Sequence, residues 1–173
     1  IRAYAAVANG GWLVRPVLIK EPSDPLLHHP PVLIFSPAVI EETVSALVKV
    51  TSTGGTGTQA ALSGYHVAGK TGTAQMVDVS TKRYSQSEYI SSFVGFAVGV
   101  EPKLVIMTVV ERPKGGYFAS ENAAPLFREV LSAAVRRYSI PSDERIMTRV
   151  NDEIKTVSAH PVPVVLPHGP DHA

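Results

Sequence analysis

Residues 64–75 constrain the fold more than any other part of the chain. Their letters, Gly-Tyr-His-Val-Ala-Gly-Lys-Thr-Gly-Thr-Ala-Gln, satisfy two patterns that need different backbones. One is G-x-x-x-x-G-K-[ST], a phosphate-binding loop that must follow a buried strand and open a helix. The other is K-T-G followed by Thr73, a string that suits an extended strand. The residues on either side therefore decide which backbone forms.

The residues flanking Lys70 favour the strand. Residues 59–63, Gln-Ala-Ala-Leu-Ser, lack the β-branched side chains that are enriched in buried strands. Gly72 and Thr73, which follow Lys70, are poor material for a first helical turn. We therefore predict a strand at residues 67–79. A phosphate-loop NTPase stays open as an alternative, with Glu111 as its metal-binding acid.

A strand with this sequence can bind an extended peptide. Gly72 has no side chain, so a peptide can approach the backbone closely and pair with the strand edge. Thr71 and Thr73 are two residues apart and share one face of the strand, where their hydroxyls can hold a carboxylate. The N–H of Thr73 can donate to a developing oxyanion, and Lys70 adds a positive potential that attracts an anionic substrate end.

The rest of the pattern predicts one α/β domain of the segregated α+β kind, in which helices pack an antiparallel sheet. Glu101-Pro102 is predicted as the turn of an antiparallel hairpin, and residues 21–35 as a loop. The predicted strands span residues 12–20, 67–79, 89–100 and 103–111. The predicted helices are residues 3–9, a helix that starts at Ser36-Pro37, and one that runs from Pro125 to Tyr138.

The last of these helices carries the clearest apolar stripe in the chain. Its members are Leu126, Phe127, Val130, Leu131, Ala134, Val135 and Tyr138. Beyond it the composition changes, because residues 141–173 hold five of the 14 prolines and three of the six histidines. We therefore predict a domain over residues 1–140 and a Pro-rich C-terminal tail over residues 141–173.

Composition excludes several kinds of function. The chain has no cysteine, which excludes thiol catalysis and thiolate metal sites. The net charge of +1 lacks the basic footprint of a nucleic-acid-binding protein. The histidines match no zinc template in their spacing, so no metal is predicted. They are His28, His29, His66, His160, His168 and His172.

Several segments, in their order along the chain, resemble the C-terminal part of the transpeptidase domain of class B penicillin-binding proteins. The resemblance covers residues 1 to about 140 and favours the septal type. The matching segments are residues 3–11, Arg15-Pro16, and residues 55–58, 64–75, 92–96 and 123–128.

The resemblance implies a peptidoglycan D,D-transpeptidase, which cross-links stem peptides ending in D-Ala–D-Ala by serine acyl transfer and is the target of penicillin and other β-lactam antibiotics. It implies Lys70 and Thr73 as catalytic residues, Thr71, Gly72 and Thr73 as substrate-binding residues, and no cofactor. It also implies work at the periplasmic face of the bacterial inner membrane, with an anchor upstream of this chain and division or elongation proteins as partners.

The departures from the family pattern limit what this chain can do alone. The nucleophile motif S-x-x-K does not occur in the 173 residues. Ser120-Glu121-Asn122 matches the S-x-N motif, but it follows K-T-G instead of preceding it. We interpret Ser120 as coincidence and Asn122 as a polar residue at a helix start.

The chain begins with Ile1, inside a predicted helix. We therefore expect it to be the C-terminal part of a longer protein, which needs the missing N-terminal part to acylate. A non-catalytic cell-wall binding module is a further alternative.

Overall fold

The computed structural model describes residues 1–17, 30–114 and 118–143, apart from the side chain of Gln86. Within them, Ile1–Pro141 form one compact unit. The helices are α1 (Arg2–Ala8), α2 (Pro37–Thr51) and α3 (Ala123–Arg137). The strands are β1 (Trp12–Leu13), β2 (Val32–Leu33), β3 (Val67–Val77), β4 (Tyr84–Ala97) and β5 (Val105–Glu111). Residues 144–173 of the predicted tail and five of the six histidines lie outside the described residues, so the domain boundary stays a prediction.

A three-stranded antiparallel sheet in the order β3-β4-β5 forms the centre of the fold. The predicted hairpin between β4 and β5 is confirmed, and Phe93 of β4 lies opposite Thr108 of β5. The α+β fold class is confirmed as well. One boundary was wrong, because the strand predicted over residues 89–100 leaves out the polar residues 84–87, whereas β4 begins at Tyr84. Pairing of Tyr84 with Val77, past an irregularity in β3, extends β4 into this polar segment.

A short ribbon near the N-terminus differs from the prediction. The strand expected over residues 12–20 is only Trp12–Leu13, and Val32–Leu33 pairs with it from within a predicted loop. The pairing ends after Leu13, where the register would place Val14 opposite Pro31, which has no N–H with which to continue the pairing.

Helix α2 begins where the sequence predicts, at Ser36-Pro37. Ser36 caps α2, and its hydroxyl accepts a hydrogen bond from the N–H of Val39 at 3.5 Å. Helix α3 buries Phe127, Leu131 and Val135. The predicted stripe is wider than the buried face, because its other large members are exposed: Leu126, Val130 and Tyr138. No helix among the described residues has the length and hydrophobicity needed to span a bilayer.

Phe93 lies at the centre of the core, and its ring centroid is 4.7 Å from that of Phe127. The ring occupies space that two glycines leave open. A Cβ atom on Gly69 would lie 2.5 Å from the ring, and one on Gly57 would lie 2.8 Å from it. Phe93 therefore packs between β3 and the loop that follows α2, which brings this loop down onto the strand.

Candidate active site along strand β3

The four residues predicted from the K-T-G string all lie in β3. Among the described residues β3 pairs only with β4, so its other edge carries no strand. The phosphate-loop alternative is wrong for this segment. Gly69, Lys70 and Thr71 belong to a strand, and the next regular element is strand β4 instead of a helix.

The hydroxyl of Thr71 is the centre of a small polar cluster. The ammonium Nζ of Lys70 donates to the carbonyl oxygen of Thr71 at 3.1 Å and lies 3.4 Å from its Oγ1. On the other side, Oγ1 of Thr56 lies 3.2 Å from Oγ1 of Thr71. Thr56 comes from the loop that Phe93 packs against β3. The core therefore sets the position of a polar group at the candidate site.

Thr71 and Thr73 line one cavity of about 310 Å³. Thr71 is half-buried and Thr73 is exposed, so both hydroxyls are within reach of a ligand. The opposite wall comes from the segment before α3, where Phe118 and Ser120 line the same cavity. Phe118 is 61% exposed, which gives the cavity one large apolar side chain beside two threonines.

Gly72 has a neighbour that the sequence did not reveal. It pairs with Ser92 of β4, and Oγ of Ser92 donates to its carbonyl oxygen at 3.3 Å. A Cβ atom built on Gly72 would lie 2.6 Å from that Oγ. The absence of a side chain at Gly72 is therefore also required by strand β4, independently of any ligand.

The segment before α3 is held by its own side chains. The carboxylate of Glu121 accepts from the N–H of Phe118 at 3.4 Å. The amide of Asn122 donates to the carbonyl oxygen of Phe118 at 3.2 Å. Asn122 is at the N-cap position of α3 but makes no capping hydrogen bond with its side chain. The polar role predicted for it at the helix start is thus to hold the loop that carries Phe118.

Three of the residues around the site were not predicted for it: Thr56, Phe118 and Ser120. Ser120 was interpreted as a coincidental match to S-x-N, yet it lines the cavity beside Thr71. Thr56 lies in residues 55–58, which resemble the family, but that resemblance assigned it no role; for all three residues, it is tertiary packing that brings them to β3. Within the described residues, no group of three or more histidine, aspartate or glutamate side chains could hold a metal ion.

Comparisons with known proteins give one consistent family. The pattern of the penicillin-binding protein transpeptidase domain matches residues 1–132. A probable peptidoglycan D,D-transpeptidase, PenA of Neisseria meningitidis serogroup A, is 30% identical over 135 residues, which are 78% of this chain and 22% of the relative. The stage V sporulation protein D of Bacillus subtilis is 36% identical over 141 residues, 76% of this chain and 21% of the relative. The chain thus spans about a fifth of the length of these relatives.

Solved structures of known proteins share the fold of this chain. The transpeptidase domain of penicillin-binding protein 3 from Burkholderia pseudomallei, in its apo form, has a TM-score of 0.67 and 32% identity, and the match covers 82% of this chain and 42% of that one. Penicillin-binding protein 3 of Mycobacterium tuberculosis in complex with aztreonam has a TM-score of 0.68 and 26% identity, and covers 82% of this chain and 35% of that one.

Proposed function

This chain belongs to the penicillin-binding protein transpeptidase family, and from that premise we propose that it forms the C-terminal part of the catalytic domain of a longer peptidoglycan D,D-transpeptidase. The longer protein cross-links stem peptides by serine acyl transfer. The chain contributes the K-T-G strand, and the nucleophilic serine comes from outside these 173 residues. No cofactor enters the chemistry.

One observation carries this proposal: Thr71 and Thr73 line the same cavity at the open edge of β3. Two hydroxyls on one face can donate to both oxygens of a terminal carboxylate. Lys70 lies next to Thr71 and adds the positive charge that favours an anion there. Carboxylate recognition by this cluster fits a substrate that ends in D-Ala–D-Ala and a β-lactam alike.

Each residue of the K-T-G segment is assigned a role from its position along β3. The peptide pairs with the free edge of β3 at Gly72, where no side chain obstructs it. The N–H of Thr73 donates to the oxyanion that forms when the serine attacks the penultimate carbonyl. The hydroxyls of Thr71 and Thr73 hold the carboxylate of the terminal D-alanine, which is the leaving group.

The longer protein works on the outer side of the bacterial cytoplasmic membrane, where its substrate is, and is anchored there by a segment upstream of this chain. Its partners are the N-terminal part of the same domain, the stem peptides, β-lactam antibiotics, and proteins of division or elongation. Residues 141–173 keep their sequence-based assignment as a Pro-rich C-terminal tail.

Exposure to a penicillin tests this function. We expect intact-mass measurement of the full-length protein to show one covalent adduct, on a serine outside this chain. We expect residues 1–173 alone to form none. ATP with Mg²⁺ should leave the melting temperature of the full-length protein unchanged, whereas a β-lactam should raise it by mass action. A full-length protein that binds nucleotide and is never acylated contradicts the proposal.

A further inference from the structure

Ser91 of β4 carries a buried hydroxyl that the fold leaves unpaired. The residue is fully buried, and its Oγ has no hydrogen-bonding partner among the described residues. A buried hydroxyl without a partner lowers the stability of a fold, and alanine would occupy the same space without that cost. A serine at this position is therefore expected to have a partner in another state of the protein.

The two residues opposite Ser91 in the sheet differ in what they can bond. In the antiparallel pairing, Ser91 lies opposite Thr73 of β3 on one side and opposite Val110 of β5 on the other. Opposite residues on one face have Cβ atoms about 4.5–5.5 Å apart, and a serine and a threonine in such a pair can form a hydrogen bond. The side chain of Val110 has no polar group. Thr73 is therefore the cross-strand neighbour whose hydroxyl can accept from Ser91.

The other two threonine hydroxyls on this face of the sheet have contacts of their own. Oγ1 of Thr108 donates to the carbonyl oxygen of Ala123 at 2.8 Å, and Oγ1 of Thr71 lies 3.2 Å from that of Thr56. Thr73 differs from both, because it is exposed and lines the cavity of about 310 Å³. Its side chain can therefore change between staggered rotamers when a ligand binds.

A bound carboxylate would fix the orientation of the Thr73 hydroxyl. This step rests on the proposed function, in which that hydroxyl donates its proton to the carboxylate of the substrate. A hydroxyl has one proton and two acceptor lone pairs, so a donating Thr73 can still accept a hydrogen bond from Ser91. The two bonds strengthen each other, because hydrogen bonds in a chain polarise one another.

We propose that Ser91 is a positioning residue for carboxylate recognition. In the substrate complex its hydroxyl donates to Oγ1 of Thr73, while Thr73 donates to the carboxylate. This chain of two hydrogen bonds runs from the buried face of β4 to the cavity and exists only while the ligand is bound. The hydroxyl of Ser91 therefore lowers the stability of the free protein and stabilises the complex, which is a trade of stability for activity.

A double-mutant cycle on the full-length protein tests this coupling. The variants are Ser91→Ala, Thr73→Val and the two combined, and the measured quantity is the second-order rate constant of acylation. Two reagents are compared: benzylpenicillin, which carries a free carboxylate, and its methyl ester, which does not. The matched control is Thr108→Val, because it removes another buried hydroxyl from the same face of the sheet, one that is already bonded to the main chain.

We expect Ser91→Ala to slow acylation by benzylpenicillin about two- to ten-fold, as for the loss of one neutral hydrogen bond, and yet to melt above the parent. With the methyl ester the rate should fall clearly less. In the Thr73→Val background, Ser91→Ala should change neither rate, because its partner is missing. Thr108→Val should lower the melting temperature, and any effect it has on the rate should add to that of Thr73→Val, since the two sites are independent.

Three results would overturn the positioning role of Ser91. One is an unchanged rate of acylation by benzylpenicillin in Ser91→Ala. Another is an equal loss with benzylpenicillin and its methyl ester, which would separate the effect from the carboxylate. The third is a loss of the same size with and without the hydroxyl of Thr73, which would mean that Ser91 acts through the fold in general. A full-length parent that is never acylated contradicts the proposed function itself, so the two failures are distinguishable.

Discussion

The side-chain oxygens of Thr56 and Thr71 lie 3.2 Å apart, although 15 residues separate them in the sequence. Thr71 also has the ammonium of Lys70 at 3.4 Å from the same oxygen. A hydroxyl oxygen has two lone pairs and one proton. If Lys70 and Thr56 donate to the lone pairs, the proton of Thr71 is left to donate to a carboxylate in the cavity.

This arrangement predicts that Thr56 orients Thr71. Replacing Thr56 by Val keeps the shape but removes the hydroxyl, and the loss of one neutral hydrogen bond, about 0.5–1.5 kcal/mol, corresponds to roughly two- to ten-fold slower acylation. Thr56→Ser keeps the hydroxyl and should acylate at nearly the parent rate. Second-order rate constants with a penicillin, measured on the full-length protein, check this. Equal rates for the Ser and Val variants would show that the contact does not orient Thr71.

We expect Thr71 to affect the acylation rate more than Thr56 does, because the hydrogen bond proposed between its hydroxyl and the substrate is to a charged group. Such bonds contribute about 1.5–3 kcal/mol, so Thr71→Val should slow acylation roughly ten- to a hundred-fold. Thr73→Val should leave the oxyanion donor intact, since that donor is a backbone N–H, but should still weaken carboxylate binding. Thermal melts serve as the folding control. A Thr71→Val variant that melts like the parent and acylates at the parent rate would refute carboxylate recognition by this hydroxyl.

The strand, and the positions of the candidate site residues along it, were predictable from the sequence because their signal is local. Thr71, Gly72 and Thr73 lie within one strand, and alternation along β3 decides which face each occupies. Thr56 was not predictable, since it reaches Thr71 only because Phe93 fills the space left by Gly57 and Gly69. That packing depends on side chains from two strands and a loop, and short-range patterns carry no information about it.

The same limit applies to the polar half of β4. Its residues 84–87 resemble a loop in composition, yet they continue the strand because Tyr84 pairs with Val77. Pairing partners distant in sequence override local preference there. Ser120 is a comparable case, since its place beside Thr71 depends on how the segment before α3 folds onto the sheet.

Gly72 is predicted to have two separable roles. Gly72→Ala should lower stability, because its Cβ would meet Oγ of Ser92 at 2.6 Å. The double variant Gly72→Ala/Ser92→Gly removes that oxygen, and it should melt close to the Ser92→Gly variant alone, which already lacks the hydrogen bond to Gly72. We expect the double variant to acylate about ten-fold more slowly than Ser92→Gly alone, because a methyl group displaces the peptide from the strand edge. Recovery of both stability and rate would mean that substrate does not lie along β3 at this position.

The turn between β3 and β4 should be sensitive to acid. The hydroxyl of Ser80 is the main cause of a lowered pKa at Asp78, and the N–H groups of Ser80 and Thr81 lower this pKa further. A pKa lower in the folded state than the ordinary 3.8 means that the carboxylate stabilises the fold above pH 3.8, and that this contribution is lost as the pH falls through the folded-state value. The difference in melting temperature between the parent and Asp78→Ala should therefore be constant near neutral pH and shrink below pH 3.8. A difference that grows on acidification would contradict the role assigned to this carboxylate.

Ser91 and Ser92, adjacent on β4, should respond in opposite directions to the loss of a hydroxyl. Ser91 is fully buried opposite Thr73, and its Oγ has no hydrogen-bonding partner among the described residues. An unsatisfied buried polar group costs about 1–3 kcal/mol, so Ser91→Ala should raise the free energy of unfolding by about 1 kcal/mol. Ser92 donates to the carbonyl of Gly72, and Ser92→Ala should lower stability by about 0.5–1 kcal/mol. Thermal melts of the two full-length variants in parallel check the signs, and a Ser91→Ala protein that melts below the parent would mean that this hydroxyl has a stabilising partner.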